Sequence, residues 1–234
     1  MSRESAPLDR RAFLKSGASL VFALGAAGGV TIMPLRRAAA QTVTAAARAI
    51  GPTSLDTWLS LDATGAVTAF FGKMDMGQGV DTAIAQVVAE ELDVDVGRVT
   101  VVMGDTHRTP NQGGASGSSG CRLGANALRN AAAEARRVLV ARASERLDAP
   151  ASTLSVADGR VFAASAPDRA VTYGELIADG FATELDWNER YGNNLNVTGV
   201  AKPKSPKDYR VVGTPVARKD IPGKVLATTE YCHH

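Results

Sequence analysis

Two glycine-rich segments of the chain contain residue types that could bind a ligand. In the first, residues 72–79, Gly77 and Gly79 flank Gln78, whose amide can both donate and accept hydrogen bonds. In the second, residues 113–120, glycines leave backbone N–H groups accessible as an anion-binding nest, and serines add hydroxyl groups. These serines are Ser116, Ser118 and Ser119. The combination suits a planar, polar ligand that carries phosphate.

Simpler explanations exist for each of these features. Glycine–serine segments are most often flexible connectors, and a single G-x-G pattern is a weak signal of ligand binding. Asp75 and Asp105 are expected to cap their loops, and His107 is expected to be an ordinary loop residue. The serines are not predicted nucleophiles, because His107 is the only histidine near them and no G-x-S-x-G elbow is present.

Each segment follows a predicted strand and precedes a predicted helix. The strands, 67–71 and 99–103, are β-branched and apolar runs that end at a glycine. Apolar residues of 80–92 recur at helical spacing, and a long helix is predicted over 122–147. If the strands are neighbours in one sheet, both loops lie at the same edge. The N–H groups of the next helix are then directed at a ligand.

The remaining patterns predict hairpins and short helices. Strands 58–61 and 67–71 flank an Asp–Gly turn, and strands 154–156 and 160–162 flank Ala157-Asp158-Gly159. Further predictions are a short helix over 174–177, an aperiodic linker over 183–215 and a strand from Leu226. The predicted solvated face of the long helix is Arg129, Glu134, Arg136, Arg137, Arg142 and Glu145, and its buried stripe is Leu128, Ala131, Ala132, Ala135, Val138, Leu139 and Leu147. Together these elements predict a mixed α/β fold of the α+β class.

Residues 1–40 have the pattern of an export signal rather than of a folded domain. Arg10 and Arg11 precede a mildly apolar stretch, 17–35, and Ala38-Ala39-Ala40 offers a small-residue cleavage site. The paired arginines indicate the twin-arginine route, so the protein is expected in the periplasm. An uncleaved anchor, or a chance basic N-terminus, is the alternative.

The composition is that of a globular protein with balanced charge. The 234 residues are 45% hydrophobic and carry a formal net charge of +2, which gives no reason to expect nucleic-acid binding. Cys121 and Cys232 are not expected to pair, and no C-x-x-C or C-x-x-C-H motif is present. The chain therefore has no iron–sulfur or c-type haem ligand set of its own.

Four segments resemble, in order and spacing, the molybdopterin-binding large subunit of the xanthine dehydrogenase and aldehyde oxidase family. They are 72–79 with its M-G-Q-G sequence, 84–92, 101–106 and 113–119. The resemblance is closest to the branch of the isoquinoline 1-oxidoreductase beta subunit and nicotinate dehydrogenase. Residues 208–213 and 218–225 look like the start of the hammerhead domain that follows in that branch. Asp75 stands where many relatives have glutamate.

This resemblance implies a division of the chain into five parts. They are a twin-arginine signal at 1–40, a linker at 41–56, the first part of the molybdenum-cofactor-binding domain at 57–180, a linker at 181–215 and an incomplete α/β hammerhead domain at 216–234. The implied fold is part of a mixed α/β molybdopterin-binding domain with hairpins and packed helices, ending at the start of the hammerhead.

The resemblance also implies the cofactor and the residues that hold it. Molybdenum bound to molybdopterin cytosine dinucleotide is expected, with Gly77, Gln78 and Gly79 beside the pterin or the metal. The residues expected to hold the pterin and its phosphates are Gly114, Ala115, Ser116, Ser118 and Ser119. No catalytic residue and no direct metal ligand is expected here, because the family's G-G-x-F-G loop and catalytic glutamate motif do not occur in this sequence.

The implied function is that of the N-terminal part of a periplasmic molybdenum hydroxylase, inactive by itself. Such enzymes oxidise N-heteroaromatic compounds or aldehydes with oxygen from water. The expected partners are the rest of the large subunit, a small subunit with 2Fe-2S clusters and, as a candidate electron acceptor, a cytochrome c. The alternatives are a stand-alone periplasmic module that binds a nucleotide-like ligand, and a structural or maturation subunit of a redox complex.

Overall fold

The computed structural model describes residues 21–24, 30–33, 51–178, 180 and 183–230. The chain divides into two compact units, Met1–Arg48 and Ala49–His234. In the first unit, β1 (Val21–Leu24) pairs antiparallel with β2 (Val30–Met33). The rest of the predicted export signal and Cys232 lie outside the described residues, so export by the twin-arginine route stays a prediction.

The second unit contains a three-stranded sheet in the order β3–β4–β5. β3 (Leu59–Leu61) and β4 (Val67–Phe71) form an antiparallel hairpin, and β4 pairs in parallel with β5 (Val99–Met103). Helix α1 (Val80–Leu92) makes the connection from β4 to β5. The predicted hairpin and the predicted strand–helix–strand unit are both confirmed.

Two long helices pack against each other beside this sheet. Helix α1 buries Ile84, Val88 and Leu92, which belong to the face predicted from their spacing. Helix α2 (Ala125–Leu147) begins later than predicted, because Gly120–Gly124 forms a π-helical turn before it. No helix in the described part of the chain is both long enough and apolar enough to cross a membrane.

Two predictions for the faces of α2 are corrected. Glu134, predicted on the solvated face, is only 2% exposed. Its carboxylate accepts hydrogen bonds from the Arg137 guanidinium at 2.6 Å and from the Ala201 N–H at 2.9 Å. Val138, predicted in the buried stripe, is half-buried. Glu134 can be buried because these partners replace the hydrogen bonds that water would supply.

A second, antiparallel sheet has the order β6–β7–β8. Its strands are β6 (Leu154–Ala157), β7 (Arg160–Ala163) and β8 (Ala166–Thr172), followed by helix α3 (Tyr173–Leu176). The predicted hairpin is confirmed, and its turn residues Asp158 and Gly159 have φ of 49° and 69°, as tight hairpins require. The buried Tyr173 hydroxyl donates to the Leu92 carbonyl at 2.9 Å and thereby fixes this sheet to the end of α1.

The C-terminal elements are short. They are β9 (Asp186–Trp187) paired antiparallel with β10 (Val197–Thr198), helix α4 (Ile221–Val225), and 3-10 turns at Gly192–Asn194 and Pro206–Asp208. Further 3-10 turns lie earlier in the chain, at Leu55–Thr57, Val96–Arg98 and Ala151–Thr153. The strand predicted from Leu226 is wrong over the residues described, since 226–230 form a turn and coil after α4. Pro222 favours this helix, because its φ suits a first helical turn and it has no N–H to give to a strand pair.

Residues 199–212, here called the strap, are held on α1 and α2 by buried carboxylates. The Glu90 carboxylate accepts hydrogen bonds from the N–H groups of Arg210, Val211 and Val212 at 2.9, 2.6 and 2.9 Å. Glu91 accepts the Lys204 N–H at 3.0 Å, and Glu134 accepts the Ala201 N–H. The predicted domain boundaries stay predictions, but this aperiodic segment is firmly anchored.

Because the Glu90 carboxylate holds the strap, we expect the free energy of unfolding to depend on pH in the acid range. Burial alone would raise the pKa of Glu90, but the strap N–H groups and the Lys204 ammonium lower that pKa below its ordinary 4.5. A carboxyl group with a lowered folded pKa contributes stability above its unfolded pKa and loses that contribution as the pH falls through the folded pKa. We expect the urea midpoint of unfolding to fall as the pH drops below about 4.5, and to fall less steeply in Glu90→Gln. Parallel curves for the two proteins would contradict this.

Candidate functional site

The two glycine-rich loops meet at one edge of the first sheet. β4 and β5 end side by side, so residues 72–79, here called the glutamine loop, leave this edge directly. Residues 113–120, here called the serine loop, reach it through Gln112. The Gln112 Oε1 accepts a hydrogen bond from the Gly72 N–H at 2.8 Å, and its Nε2 donates to the Gly124 carbonyl at 2.8 Å. The predicted neighbourhood of the two loops is confirmed.

Asp75 closes the glutamine loop onto the first turn of α1. Its carboxylate accepts hydrogen bonds from the N–H groups of Gly77, Gly79 and Val80 at 2.6, 3.3 and 2.8 Å. The predicted capping role of Asp75 is therefore confirmed. The expectation that the first N–H group of the next helix points at a ligand is wrong at Val80, because Asp75 already accepts that hydrogen bond.

Gln78 is exposed in the glutamine loop, and only the oxygen of its amide forms a hydrogen bond within the described residues. Its Oε1 accepts a hydrogen bond from the Met76 N–H at 2.7 Å. Its Nε2 donates to no group among the residues that the structure describes. Gly77 and Gly79 have φ of 101° and 74°, which residues with a side chain rarely adopt. This tight loop leaves the amide donor of Gln78 available to a ligand.

The serine loop divides its hydroxyl groups between an inner and an outer face. Ser119 is 2% exposed, and its Oγ donates to the Gly114 carbonyl at 3.1 Å. Ser116 and Ser118 are exposed. Within the described ranges, the N–H groups of Ser116, Gly117 and Ser118 donate to no other group. The outer face therefore offers two hydroxyl groups and a run of backbone donors, which is the donor set of an anion-binding nest.

Lys73 supports the serine loop from within and was not predicted from the sequence. It is 1% exposed, and its Nζ donates to the Gly114 carbonyl at 2.8 Å, to Ser119 Oγ at 3.4 Å and to Asn193 Oδ1. Burial lowers the pKa of its ammonium group. The glutamine loop thus holds the serine loop through one buried side chain.

An alternation in the sequence could have identified Lys73. Val67, Ala69 and Phe71 are the buried positions of β4. Lys73 continues this period of two beyond the end of the strand, so its side chain is expected on the same buried side as those of the alternating strand residues.

Arg218 brings a positive charge to the glutamine loop from the C-terminal segment. Its Nη2 donates to the Gly77 carbonyl at 2.9 Å, and the Asp220 carboxylate accepts from its Nε and Nη2 at 3.0 and 2.7 Å. Hydrogen bonds from Arg218 and Lys224 hold the pKa of Asp220 well below its usual range. A methyl group on Gly79 would lie 2.6 Å from Arg218 Nε, so a side chain at this position would require the Arg218 side chain to shift.

The other reactive side chains near the loops do not form a catalytic or metal-binding group. Desolvation and the Asp75 carboxylate raise the pKa of the Cys121 thiol, which disfavours the thiolate. His107 is an exposed loop residue, as predicted, and its N–H donates to the capping carboxylate of Asp105 at 2.9 Å. No cluster of His, Cys, Asp and Glu in the described part of the chain could hold a metal ion.

Comparison with known proteins decides the class of ligand. Residues 25–218 match the family model of the molybdopterin cofactor-binding domain. The chain belongs to this family. It is 36% identical over 191 residues to a nicotinate dehydrogenase subunit from Pseudomonas putida, covering 80% of this chain and 15% of that protein. It is 30% identical over 250 residues to the beta subunit of isoquinoline 1-oxidoreductase from Brevundimonas diminuta, covering 95% of this chain and 31% of that protein.

These relatives confirm the resemblance that the loop motifs predicted. The chain spans less than a third of the length of either relative. Among solved structures, it is similar to CO dehydrogenase from Oligotropha carboxidovorans, with a TM-score of 0.45 and 24% identity over 60% of this chain and 18% of that one. It is also similar to quinoline 2-oxidoreductase from Pseudomonas putida, with a TM-score of 0.46 and 25% identity over 58% of this chain and 19% of that one.

The loop geometry of this molybdopterin-binding chain fits a phosphate-bearing pterin. A methyl group on Gly77, Gly114 or Gly117 would meet no atom within 4 Å, so the outer faces of both loops have room. The cations of Lys73 and Arg218 lie against these loops. The predicted site residues Gly77, Gln78, Gly114, Ser116 and Ser118 are exposed, Ala115 is half-buried, and Gly79 and Ser119 are buried. Their roles toward the cofactor stay predictions.

Proposed function

We propose that this chain is the N-terminal part of the molybdenum-cofactor subunit of an oxidoreductase, in which the glutamine loop and the serine loop hold the cofactor. The observation that supports this most directly is the joining of the two loops at one sheet edge with open outer faces. Membership of the family supplies the class of ligand. Since the chain corresponds to 15% and 31% of its two relatives, the activity belongs to a larger protein.

The residues of the two loops bind and orient the cofactor. When bound, the cofactor supplies molybdenum chemistry that transfers oxygen from water to the substrate. The Gln78 amide donor is available to the edge of a flat heterocycle, and Ser116 and Ser118 are available to phosphate oxygens. Arg218 holds the glutamine loop through its hydrogen bond to the Gly77 carbonyl, and the Asp220 carboxylate fixes and compensates its guanidinium.

The base of the reaction comes from outside this chain. Glu90 and Glu91 are 2% and 1% exposed, and they accept hydrogen bonds from the strap and from Arg129. Both lie near the end of α1, whereas the glutamine loop lies before its first residue. A carboxylate fixed in this way is not free to take a proton from a reacting group, so the chain alone is expected to be inactive.

The substrate class, the form of the cofactor, the partners and the location are proposed from the similarity to these relatives. The names of two relatives contain nicotinate and isoquinoline, which are nitrogen heteroaromatics. We therefore propose N-heteroaromatic compounds as substrates, with aldehydes as the second class. The molybdopterin cytosine dinucleotide form of the cofactor, a small subunit with 2Fe-2S clusters, a cytochrome c acceptor and export to the periplasm belong to the same proposal.

Metal and pterin analysis of the protein purified from its native host tests this function. The expected result is molybdenum and a phosphorylated pterin, with the remainder of the large subunit and an iron–sulfur subunit in the same complex. A monomer that binds a nucleotide and contains no molybdenum would overturn the proposal and favour a stand-alone binding module.

Replacing Gln78 in the intact enzyme tests the glutamine loop. Gln78→Ala removes the free amide donor, and we expect activity to fall about tenfold, which corresponds to one lost hydrogen bond to the ligand. The free energy of unfolding should change by less than about 1 kcal/mol, because the side chain is exposed and fills no core volume. Activity is measured at saturating substrate, and stability by urea unfolding.

Gln86→Ala provides the matched control on the helix that follows the loop. The Gln86 Nε2 donates to the carbonyls of Val211 and Thr214 at 2.9 and 3.1 Å, so its loss should lower stability without changing cofactor content. If Gln78→Ala instead lowered stability and left activity unchanged, the glutamine loop would be a structural element rather than a binding loop.

A further inference from the structure

Lys73 is a buried cation without a buried anion. Its Nζ contacts a backbone carbonyl, a hydroxyl and an amide oxygen, which are all neutral groups. It forms no salt bridge with any residue in the described ranges. Burial of a charge is unfavourable unless a partner compensates it, so this arrangement needs a functional explanation.

Lys204 shows how the same chain compensates another largely buried lysine. The Lys204 side chain is 15% exposed, and its Nζ lies within salt-bridge distance of both Glu90 and Asp93. The charge of Lys204 is thus compensated by carboxylates. Lys73 has no such carboxylate partner among the described residues, so its charge is not compensated.

The uncompensated charge lies directly against the serine loop. Two of the three Lys73 acceptors, Gly114 and Ser119, belong to this loop. The third, Asn193, comes from a 3-10 turn that packs closely on the loop, since a methyl group on Gly113 would lie 2.9 Å from the Gly192 Cα. The serine loop is thus fixed on its inner face, whereas its outer face at 116–118 remains exposed.

We propose that Lys73 is a positioning residue for the phosphate-bearing part of the cofactor on the serine loop, and that this anion is its missing counter-charge. This inference rests on the proposed function. Lys73 acts in two ways: its hydrogen bonds order the loop, and its charge adds to the attraction of the backbone donors at 116–118. An attraction across one layer of backbone is effective because the intervening medium screens less than water.

Two variants separate the charge of Lys73 from its hydrogen bonds. Lys73→Gln keeps polar donors but removes the charge. Asn193→Asp keeps the shape of the site and gives the ammonium a carboxylate partner, so it neutralises the charge without removing packing. In the intact enzyme, we expect both variants to retain roughly 10- to 100-fold less molybdenum and pterin phosphate per folded protein after prolonged dialysis.

Asn193→Asp makes the test decisive, because a purely structural role predicts the opposite result. A new buried ion pair should maintain or raise the unfolding midpoint, and only the anion-binding role predicts cofactor loss at the same time. Lys204→Met is the control, expected to lower the midpoint and leave the cofactor content per folded protein unchanged. If Asn193→Asp retained as much cofactor as the wild type, the proposal would be overturned. This outcome would be decisive even if Lys73→Gln did not fold.

A second measurement distinguishes failure of this inference from failure of the proposed function. Inorganic pyrophosphate is added to the cofactor-free protein, and the unfolding midpoint is followed. We expect stabilisation in the wild type and none in Asn193→Asp, because a ligand that binds the folded state raises its stability. A wild-type enzyme without molybdenum would refute the proposed function. Equal stabilisation of wild type and variant by pyrophosphate would refute the role of Lys73.

Discussion

Gly72→Ala is expected to destabilise the folded protein by at least about 4 kcal/mol, since the new methyl group has no space. It would lie 1.7 Å from the Pro110 carbonyl oxygen and 3.0 Å from the Gln112 N atom. Both are backbone atoms, so a side-chain rotation cannot relieve the overlap. The shift would also weaken the hydrogen bond from the Gly72 N–H to Gln112, which joins the two loops. Urea unfolding and soluble yield measure the effect.

Gly114→Ala is the matched control for this prediction. A methyl group at Gly114 meets no atom within 4 Å, and Gly114 is not among the glycines with positive φ. Its free energy of unfolding should therefore stay within about 0.5 kcal/mol of the wild type. If Gly72→Ala were as stable as Gly114→Ala, the close approach of the segment around Pro110 to the glutamine loop would be wrong.

Glu90→Ala is expected to destabilise the protein by about 3–5 kcal/mol. The substitution leaves three backbone N–H groups of the strap without their acceptor. It also removes one of the two carboxylates beside the Lys204 ammonium group. These donors are only partly buried, so each lost hydrogen bond to the carboxylate costs stability without the full free energy of burying an unpaired donor. We expect the strap to detach before the helices unfold, so protease cleavage between 199 and 212 should accelerate.

Glu145→Ala serves as the comparison, because Glu145 is an exposed glutamate of α2. Its unfolding free energy should match that of the wild type within about 0.5 kcal/mol, and its cleavage pattern should be unchanged. Equal stability of Glu90→Ala and Glu145→Ala would mean that the strap contributes little to the fold.

Local periodicity was sufficient to predict the core of the fold. The apolar spacing of 80–92 and the glycines that end 67–71 and 99–103 are short-range signals, and they define the unit of β4, α1 and β5. The meeting of the two loops was predicted on the condition that the two strands are neighbours in one sheet, and the parallel pairing of β4 and β5 fulfils this condition. The capping role of Asp75 followed from its chemistry at the start of a helix.

The buried charges could not be predicted, because their partners are distant in the sequence. Glu90 and Glu134 have the spacing and the polarity of solvated helix residues, and nothing near them in sequence indicates burial. Their acceptor role is defined by residues of the strap, whose own sequence has no period. The strand predicted from Leu226 also failed, because residues 226–230 follow the short helix of 221–225 as turn and coil.

The strap also has a consequence for the order in which the chain acquires its structure during translation. Glu91 and its strap partner Lys204 are 113 positions apart, and Glu90 and Val212 are 122 positions apart. At ordinary elongation rates the ribosome needs on the order of ten seconds to synthesise the intervening residues. During this interval the carboxylates of α1 stay hydrated and the nascent core stays incomplete. The glutamine and serine loops thus emerge early, but the scaffold beneath them closes only when the strap has left the exit tunnel.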